Sequence, residues 1–128
     1  MNTAVIGLGS NIEPNKNIQL ARQKIQTHFQ VLKTSQFRKT KPIGFLNQAD
    51  FINGAILIQT ELNRNDLERQ LKSLEHDLGR EREGNKYGPR TIDLDILIWN
   101  KEIVDKDVYK RDFLKQAIQE IDPGITIP

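Results

Sequence analysis

The run Tyr87-Gly88-Pro89-Arg90-Thr91-Ile92-Asp93-Leu94-Asp95-Ile96-Leu97-Ile98 joins a Gly/Pro turn and an arginine to an apolar stretch broken by two carboxylates. On a β-strand residues i and i+2 share a face. Asp93 and Asp95 therefore stand side by side, while Ile92, Leu94 and Ile96 point into the opposite layer. Neighbouring carboxylates on a buried strand repel one another and resist desolvation, so they require hydrogen bonds, Arg90 or a divalent cation. Mg²⁺ suits such a pair, because it keeps several waters and takes one or two protein carboxylates together with substrate phosphates. An isolated Asp-x-Asp is more often a solvent-facing strand edge. The apolar run Ile96-Leu97-Ile98-Trp99 instead argues for a central strand.

The segment leading into this strand, from Gly79 to Arg90, carries Arg80, Arg82, Lys86 and Arg90, two glutamates and three glycines. Arginine forks bind phosphate oxygens in bidentate fashion, so a cationic loop beside a metal pair suits a polyphosphate. A solvated loop with Arg/Glu pairs, each worth about 0–1 kcal/mol, is the plain alternative. Asn53 lies on a strand face shared with Phe51, Ala55 and Leu57, where a ring and an amide could receive a flat heterocycle. A satisfied amide at a sheet edge is the competing reading. His28 and His76 have no second histidine at ligand spacing and read as surface helix residues. Gly7-Leu8-Gly9-Ser10-Asn11 lacks the third glycine and the lysine of the common phosphate loops and reads as a turn.

These groups need elements to hold them. Thr3 to Leu8 reads as a first strand, and after Pro14 the stripe Ile18, Ala21, Ile25, Phe29 marks an amphipathic helix. Val31 to Arg38 reads as a second strand, and Phe51 to Thr60 as a third whose Ile52, Ile56 and Ile58 face the core. Asn65, with Glu68 three residues on, has capping-box spacing ahead of the stripe Leu67, Leu71, Leu74, Leu78, and Gly79 stops that helix. The last strand runs from Ile92 to Trp99. The order βαββαβ predicts an α+β, ferredoxin-like antiparallel sheet with helices on one face, the other being left for loops and ligand. Beyond it Val104 to Asp107 reads as a turn. Phe113, Ala117, Ile118 and Ile121 predict a short C-terminal helix ended by Asp122-Pro123-Gly124.

With 128 residues and no recognisable linker, the expectation is one domain spanning 1–128. The absence of cysteine excludes disulfides, thiolate zinc and cysteine nucleophiles, and fits a cytoplasmic location. No apolar stretch is long enough to span a membrane, and no basic region precedes an apolar block at the N-terminus. A net charge of +2 gives no reason to expect nucleic acid as a partner. The chain reads as a monomer acting on small molecules.

Several separated strings resemble one family, the 6-hydroxymethyl-7,8-dihydropterin pyrophosphokinases of folate biosynthesis. They are Gly9-Ser10-Asn11, the stretch Arg38-Lys39-Thr40-Lys41-Pro42-Ile43-Gly44, the stretch Asp50-Phe51-Ile52-Asn53-Gly54-Ala55, Leu78-Gly79-Arg80, and above all Gly88-Pro89-Arg90-Thr91-Ile92-Asp93-Leu94-Asp95-Ile96. The resemblance covers about residues 3–100. It implies an enzyme that transfers pyrophosphate from ATP, its co-substrate, to the hydroxymethyl oxygen of a reduced pterin, releasing AMP. By position it implies Asp93 and Asp95 as ligands of two Mg²⁺ ions, with Arg80 and Arg90 as further catalytic groups. It implies Thr40, Ile43, Phe51, Asn53 and Phe113 around the pterin, the two rings as a sandwich. Around ATP it implies Glu75, Arg80, Arg82, Lys86, Tyr87, Arg90, Ile96 and Arg111, with the cationic loop acting as a lid.

The family pattern and this chain part company near the C-terminus. Members usually carry a longer segment with Val-Pro-His before the Arg-x-Phe that corresponds to Arg111-Asp112-Phe113, and further elements after it. Here Val104 to Lys110 has neither Pro nor His. A catalytically weakened pterin- and nucleotide-binding relative is therefore the alternative to a working enzyme, and a ferredoxin-like interaction domain is a third reading.

Overall fold

The computed structural model describes residues 1–80 and 89–128. Along the chain it forms β1 (Asn2–Ser10), α1 (Pro14–His28), β2 (Gln30–Thr34), β3 (Arg38–Thr40), β4 (Phe51–Thr60), α2 (Arg64–Asp77), β5 (Asp93–Trp99), β6 (Glu102–Ile103) and α3 (Asp112–Ile121). The strands pair antiparallel in the order β2-β4-β1-β5-β6, and β3 joins the edge of β4 that β2 leaves open. This is the α+β, ferredoxin-like arrangement that the order of elements predicts. The apolar period-2 and period-3.6 stripes decide it. Ile6, Ile56 and Ile58 of the sheet bury against Ile18, Ala21 and Ile25 of α1 and Leu67, Leu71 and Leu74 of α2.

The second strand does not run unbroken from Val31 to Arg38. It splits at Ser35, whose backbone N–H donates to the Ala55 carbonyl at 2.9 Å while its hydroxyl accepts the Ala55 N–H at 2.8 Å. A side chain thus replaces one backbone partner, and the chain kinks without leaving a buried amide unpaired. The kink turns Phe37 onto the helix-side core, where the Arg22 guanidinium sits 5.0 Å from its ring centroid. Gly9-Ser10 is strand rather than turn: β1 continues to Ser10 because Gly9 and Ser10 still pair with Asn53 and Ile52. The cap of α2 is Asn63, not Asn65, since the Asn63 side chain accepts from Asp66 N–H at 2.8 Å and its carbonyl accepts from Leu67 N–H. Two overlapping Asn-x-x-acid patterns exist here, and the earlier one wins the four orphan donors at the helix start.

The second face of the sheet is not simply left for loops and ligand. Val5, Ala55, Leu97 and Ile98 cluster with Val108, Ala117, Ile118 and Ile121, so α3 covers half of that face. A bulge makes this possible. Ile6 pairs with Ile96 but Val5 pairs with Ile98, which leaves Leu97 as an extra residue in β5. Both Leu97 and Ile98 then join the α3 side, whereas Leu94 and Ile96 stay with α1 and α2. The uncovered half is the end carrying Asp93 and Asp95.

Replacing Ile118, which is fully buried, by Ala tests whether α3 is part of the core or an appendage. Urea denaturation should show a loss of about 2–5 kcal/mol, the usual cost of a large-to-small core change. A loss below about 0.5 kcal/mol, typical of surface sites, would show that α3 docks without contributing.

Candidate active site

The site is assembled where α2 ends against the open edge of β5. Gly79, at φ +90°, terminates the helix: its N–H donates to the His76 carbonyl, and the N–H of Arg80 donates to the Glu75 carbonyl, both at 3.0 Å. This 6→1 and 5→2 pair is a Schellman ending, for which a left-handed residue is needed. Its consequence is positional. Arg80 folds straight back over the last turn of α2, and its Nη1 lies 3.0 Å from Glu75 Oε1 and donates to Asp93 Oδ1. Glu75 itself is 1% exposed and accepts the Leu94 N–H at 2.7 Å. Lys72, one turn earlier, lies within 3.3 Å of Glu75 Oε2 and of the Leu94 carbonyl, and 3.4 Å from Asp95 Oδ1. Two side chains of α2 therefore serve the backbone of β5 at Leu94, upstream of the residues that pair with β6.

Across the sheet, Asn11 fixes the entry to β5. It exchanges two backbone-directed hydrogen bonds with Arg90, accepting the Arg90 N–H on its side-chain oxygen at 2.7 Å and donating its own N–H to the Arg90 carbonyl at 3.0 Å. Its amide nitrogen also holds Gln48 and the Ala49 carbonyl, ahead of β4. One buried asparagine thus ties together the end of β1, the approach to β4 and the approach to β5. The sequence singled out the Gly9-Ser10-Asn11 string but gave Asn11 no role.

A cleft opens on the α3 side of the sheet, lined by Gly9, Asn53, Asp93, Asp95, Asp105, Asp107, Arg111 and Phe113 among others. Asn53, Asp93, Asp95, Arg111 and Phe113, drawn from three separated segments, thereby meet in one place. Thr40 reaches it indirectly, since its hydroxyl accepts from the Asn53 amide across the β3–β4 pair. A side chain on Gly9 would put its Cβ 2.5 Å from Asn53 Oδ1, so glycine is required for that amide to lie over β1. Phe51 is half-buried beside Thr40, and Ile43 is exposed; neither lines the cleft. Ile96 points into the helix-side core. Glu75 and Arg80 stand behind Asp93, and Arg90 Nε lies 3.9 Å from Asp93 Oδ2. Arg82, Lys86 and Tyr87 lie outside the described residues.

The electrostatics are those of a buried carboxylate with a second one beside it. Burial and the neighbouring Asp95 push the Asp93 carboxyl up to about 6, against the opposing pull of Arg80 and Arg90, with Glu75 adding to the rise. Asp105, which caps the 3₁₀ turn Lys106–Tyr109 by accepting the Asp107 N–H, is also raised, by burial first. Among the described residues no three His, Cys, Asp or Glu side chains converge closely enough to hold a metal. A cation held at Asp93 and Asp95 would therefore have to bring most of its ligands as water or substrate oxygens.

A family model described as 7,8-dihydro-6-hydroxymethylpterin-pyrophosphokinase matches residues 5–123. The chain belongs to this family. It is similar to the 2-amino-4-hydroxy-6-hydroxymethyldihydropteridine pyrophosphokinase of Bacillus subtilis, with 37% identity over 94% of this chain and 78% of the relative. Proteins of the same name from Aquifex aeolicus and Haemophilus influenzae are 33% and 34% identical over all of this chain and 85% and 86% of their own lengths. Those two matches run over 137 and 139 aligned positions against 128 residues here, so these pyrophosphokinases carry internal residues that this chain lacks.

The raised carboxyl makes a pH-dependent prediction. Between about pH 4 and 6 the folded protein holds a proton on Asp93 that the unfolded chain has released, so stability falls as pH rises through that window. Asp93→Asn removes this term. Without divalent ions, the melting temperature of the variant relative to the parent should rise between pH 4 and pH 7.5, and a difference that is constant with pH would contradict the raised Asp93 carboxyl.

Proposed function

We propose that this chain transfers the pyrophosphoryl group of ATP to the hydroxymethyl oxygen of 6-hydroxymethyl-7,8-dihydropterin, forming the pterin diphosphate and AMP. The convergence of Asn53, Asp93, Asp95, Arg111 and Phe113 on one cleft, in a chain of this family, carries the reading. Asn53 and Thr40 form the polar rim that would hold the edge of the heterocycle. Phe113 offers its ring in the cleft; Phe51, on β4 but outside the cleft lining, is assigned to the other side of the pterin by the family resemblance alone. Arg80, Arg90 and Arg111 supply cationic forks for phosphate oxygens, joined by Arg82 and Lys86 of the loop, with Tyr87 and Glu75 assigned to the nucleotide. Asp93 and Asp95 would hold two Mg²⁺ ions, which supply charge neutralisation on the triphosphate.

In the reaction the hydroxymethyl oxygen bonds to the β-phosphorus, the bond from that phosphorus to the oxygen bridging the α-phosphate breaks, and AMP leaves. Such a displacement depends on positioning and on stabilising charge over the phosphate oxygens more than on covalent help. Arg80 is well prepared for that task, because its contacts with Glu75 and the Ile92 carbonyl fix the guanidinium before any ligand arrives. Among the described residues its buried Nε meets no hydrogen-bond partner. The reading includes action as a monomer in the cytoplasm; no helix among the described residues is long and apolar enough to cross a membrane.

A weakened relative is favoured by one observation: the connection ahead of Arg111 holds the short 3₁₀ turn Lys106–Tyr109, capped by Asp105, where the family usually has Val-Pro-His. A missing charge-assisted phosphate contact is worth roughly 1.5–3 kcal/mol, or about tenfold to a hundredfold in rate or ATP affinity. Turnover below that of a relative with the longer segment, partly restored by grafting it between Val104 and Arg111, is the expected result.

Incubation with ATP, Mg²⁺ and the reduced pterin should yield AMP and pterin diphosphate in equal amounts by chromatography. No transfer despite tight pterin binding would favour the weakened relative. Asp95→Asn should abolish most transfer while leaving the fold intact. Phe113→Ala should weaken pterin binding well beyond any change in ATP binding, since ring stacking adds about 0.5–1.5 kcal/mol to the area buried. Equal losses for both ligands by calorimetry would remove Phe113 from the pterin site.

A further inference from the structure

Lys72 belongs to none of the motifs of the sequence, yet it occupies an oxygen of Asp95. Its ammonium lies 3.4 Å from Asp95 Oδ1, 3.3 Å from Glu75 Oε2 and 3.3 Å from the Leu94 carbonyl, with Glu68 at 3.8 Å. We infer that Lys72 is the resident counter-cation of Asp95, holding that carboxylate in the metal-free protein and competing with the divalent ion for it. The inference rests on the proposed metal role of Asp93 and Asp95 and adds a residue that governs when the metal can enter.

Two contrasts single out Lys72 as the displaceable cation. The Arg80 side chain is 12% exposed and is anchored by Glu75 and the Ile92 carbonyl as well as by Asp93, so it cannot leave without orphaning a buried carboxylate. The Lys72 side chain is 29% exposed, and it meets an Asp95 carboxylate that is 48% exposed, through one long contact. Lysine is also a point charge on a flexible stem, so it can give up Asp95 while keeping the Glu75 carboxylate and the Leu94 carbonyl, which a rigid arginine fork does less readily.

Among the described residues the contacting side chains Glu68, Glu75, Asp93 and Asp95 carry four negative charges against the three positive ones of Lys72, Arg80 and Arg90. A bare divalent ion entering this group turns one excess negative charge into one excess positive charge as long as Lys72 stays. A nucleotide triphosphate arriving with the metal supplies the anion that both the metal and the released ammonium require. Metal and nucleotide binding are then coupled, and by linkage the coupling is reciprocal.

The test is Mn²⁺ binding by the whole chain without nucleotide, followed by electron paramagnetic resonance at neutral pH. Lys72→Gln removes the charge while keeping an amide donor for the Leu94 carbonyl, and Lys72→Met serves if the glutamine variant melts early. Either variant should bind Mn²⁺ about threefold to tenfold more tightly than the parent, the gain expected when one competing charged contact is removed. That gain should vanish in an Asp95→Asn background, and ATP should enhance Mn²⁺ affinity less in the Lys72 variants than in the parent. Unchanged or weaker Mn²⁺ binding by folded Lys72 variants overturns the inference, as does a gain that persists without the Asp95 carboxylate. If Asp95→Asn alone leaves Mn²⁺ binding untouched, the metal reading of Asp95 is what fails.

Discussion

The buried carboxylate of Glu75 is the constraint around which the site is built. It is 1% exposed, and it accepts the Leu94 N–H while pairing with Arg80 and Lys72. A carboxylate in that position is tolerable only with its charge and lone pairs matched, and each partner it recruits is a structural commitment. Leu94 is the residue between the two aspartates, so the hydrogen bond its N–H donates to Glu75 sets the height of Asp93 and Asp95 above α2. Arg80 is the residue released by the Gly79 helix ending, so its pairing with Glu75 sets where the cationic loop begins. Helix, strand and loop are registered by one side chain.

The rest of the sheet can be understood as support for that edge. β1 lies between β4 and β5 and brings Gly9 opposite both Asn53 and Asp93. The hydrogen-bonded pair Asn53 and Thr40 and the carboxylate pair therefore sit on either side of one glycine. Asn11 then locks the chain ends around this point by holding Arg90, Gln48 and Ala49. Such an arrangement keeps the carboxylates of the cleft on a strand, where side chains are positioned more precisely than on loops.

α3 has a double duty. Its apolar stripe completes a second core on the cleft side, and its first turn delivers Phe113 and Arg111 to the cleft wall. The Glu120 carboxylate accepts the Gln36 N–H at 2.9 Å and pairs with Arg38, linking the far end of the helix to the strand that holds Thr40. Both walls of the cleft thus share mechanical connections outside it. A chain that lacks residues its relatives carry can still position an Arg-x-Phe wall, because packing of Ala117, Ile118 and Ile121 holds it in place.

Much of this was legible in the residues themselves. Period-2 alternation alone places Asp93 and Asp95 on one face and Leu94 and Ile96 on the other, and period-3.6 stripes identify α1, α2 and α3, because side-chain direction follows from backbone geometry without reference to partners. The family strings then name the chemistry. What the local pattern could not carry is every feature decided by a distant partner. The Ser35 break depends on Ala55. The Leu97 bulge depends on an α3 that needs both Leu97 and Ile98 on its side. Glu75 and Lys72 read in the sequence as two ordinary charged positions on a helix. Only when α2 packs beside the open edge of β5 does one become buried and the other settle on Asp95, since burial and charge pairing are properties of the assembled surface rather than of the residue.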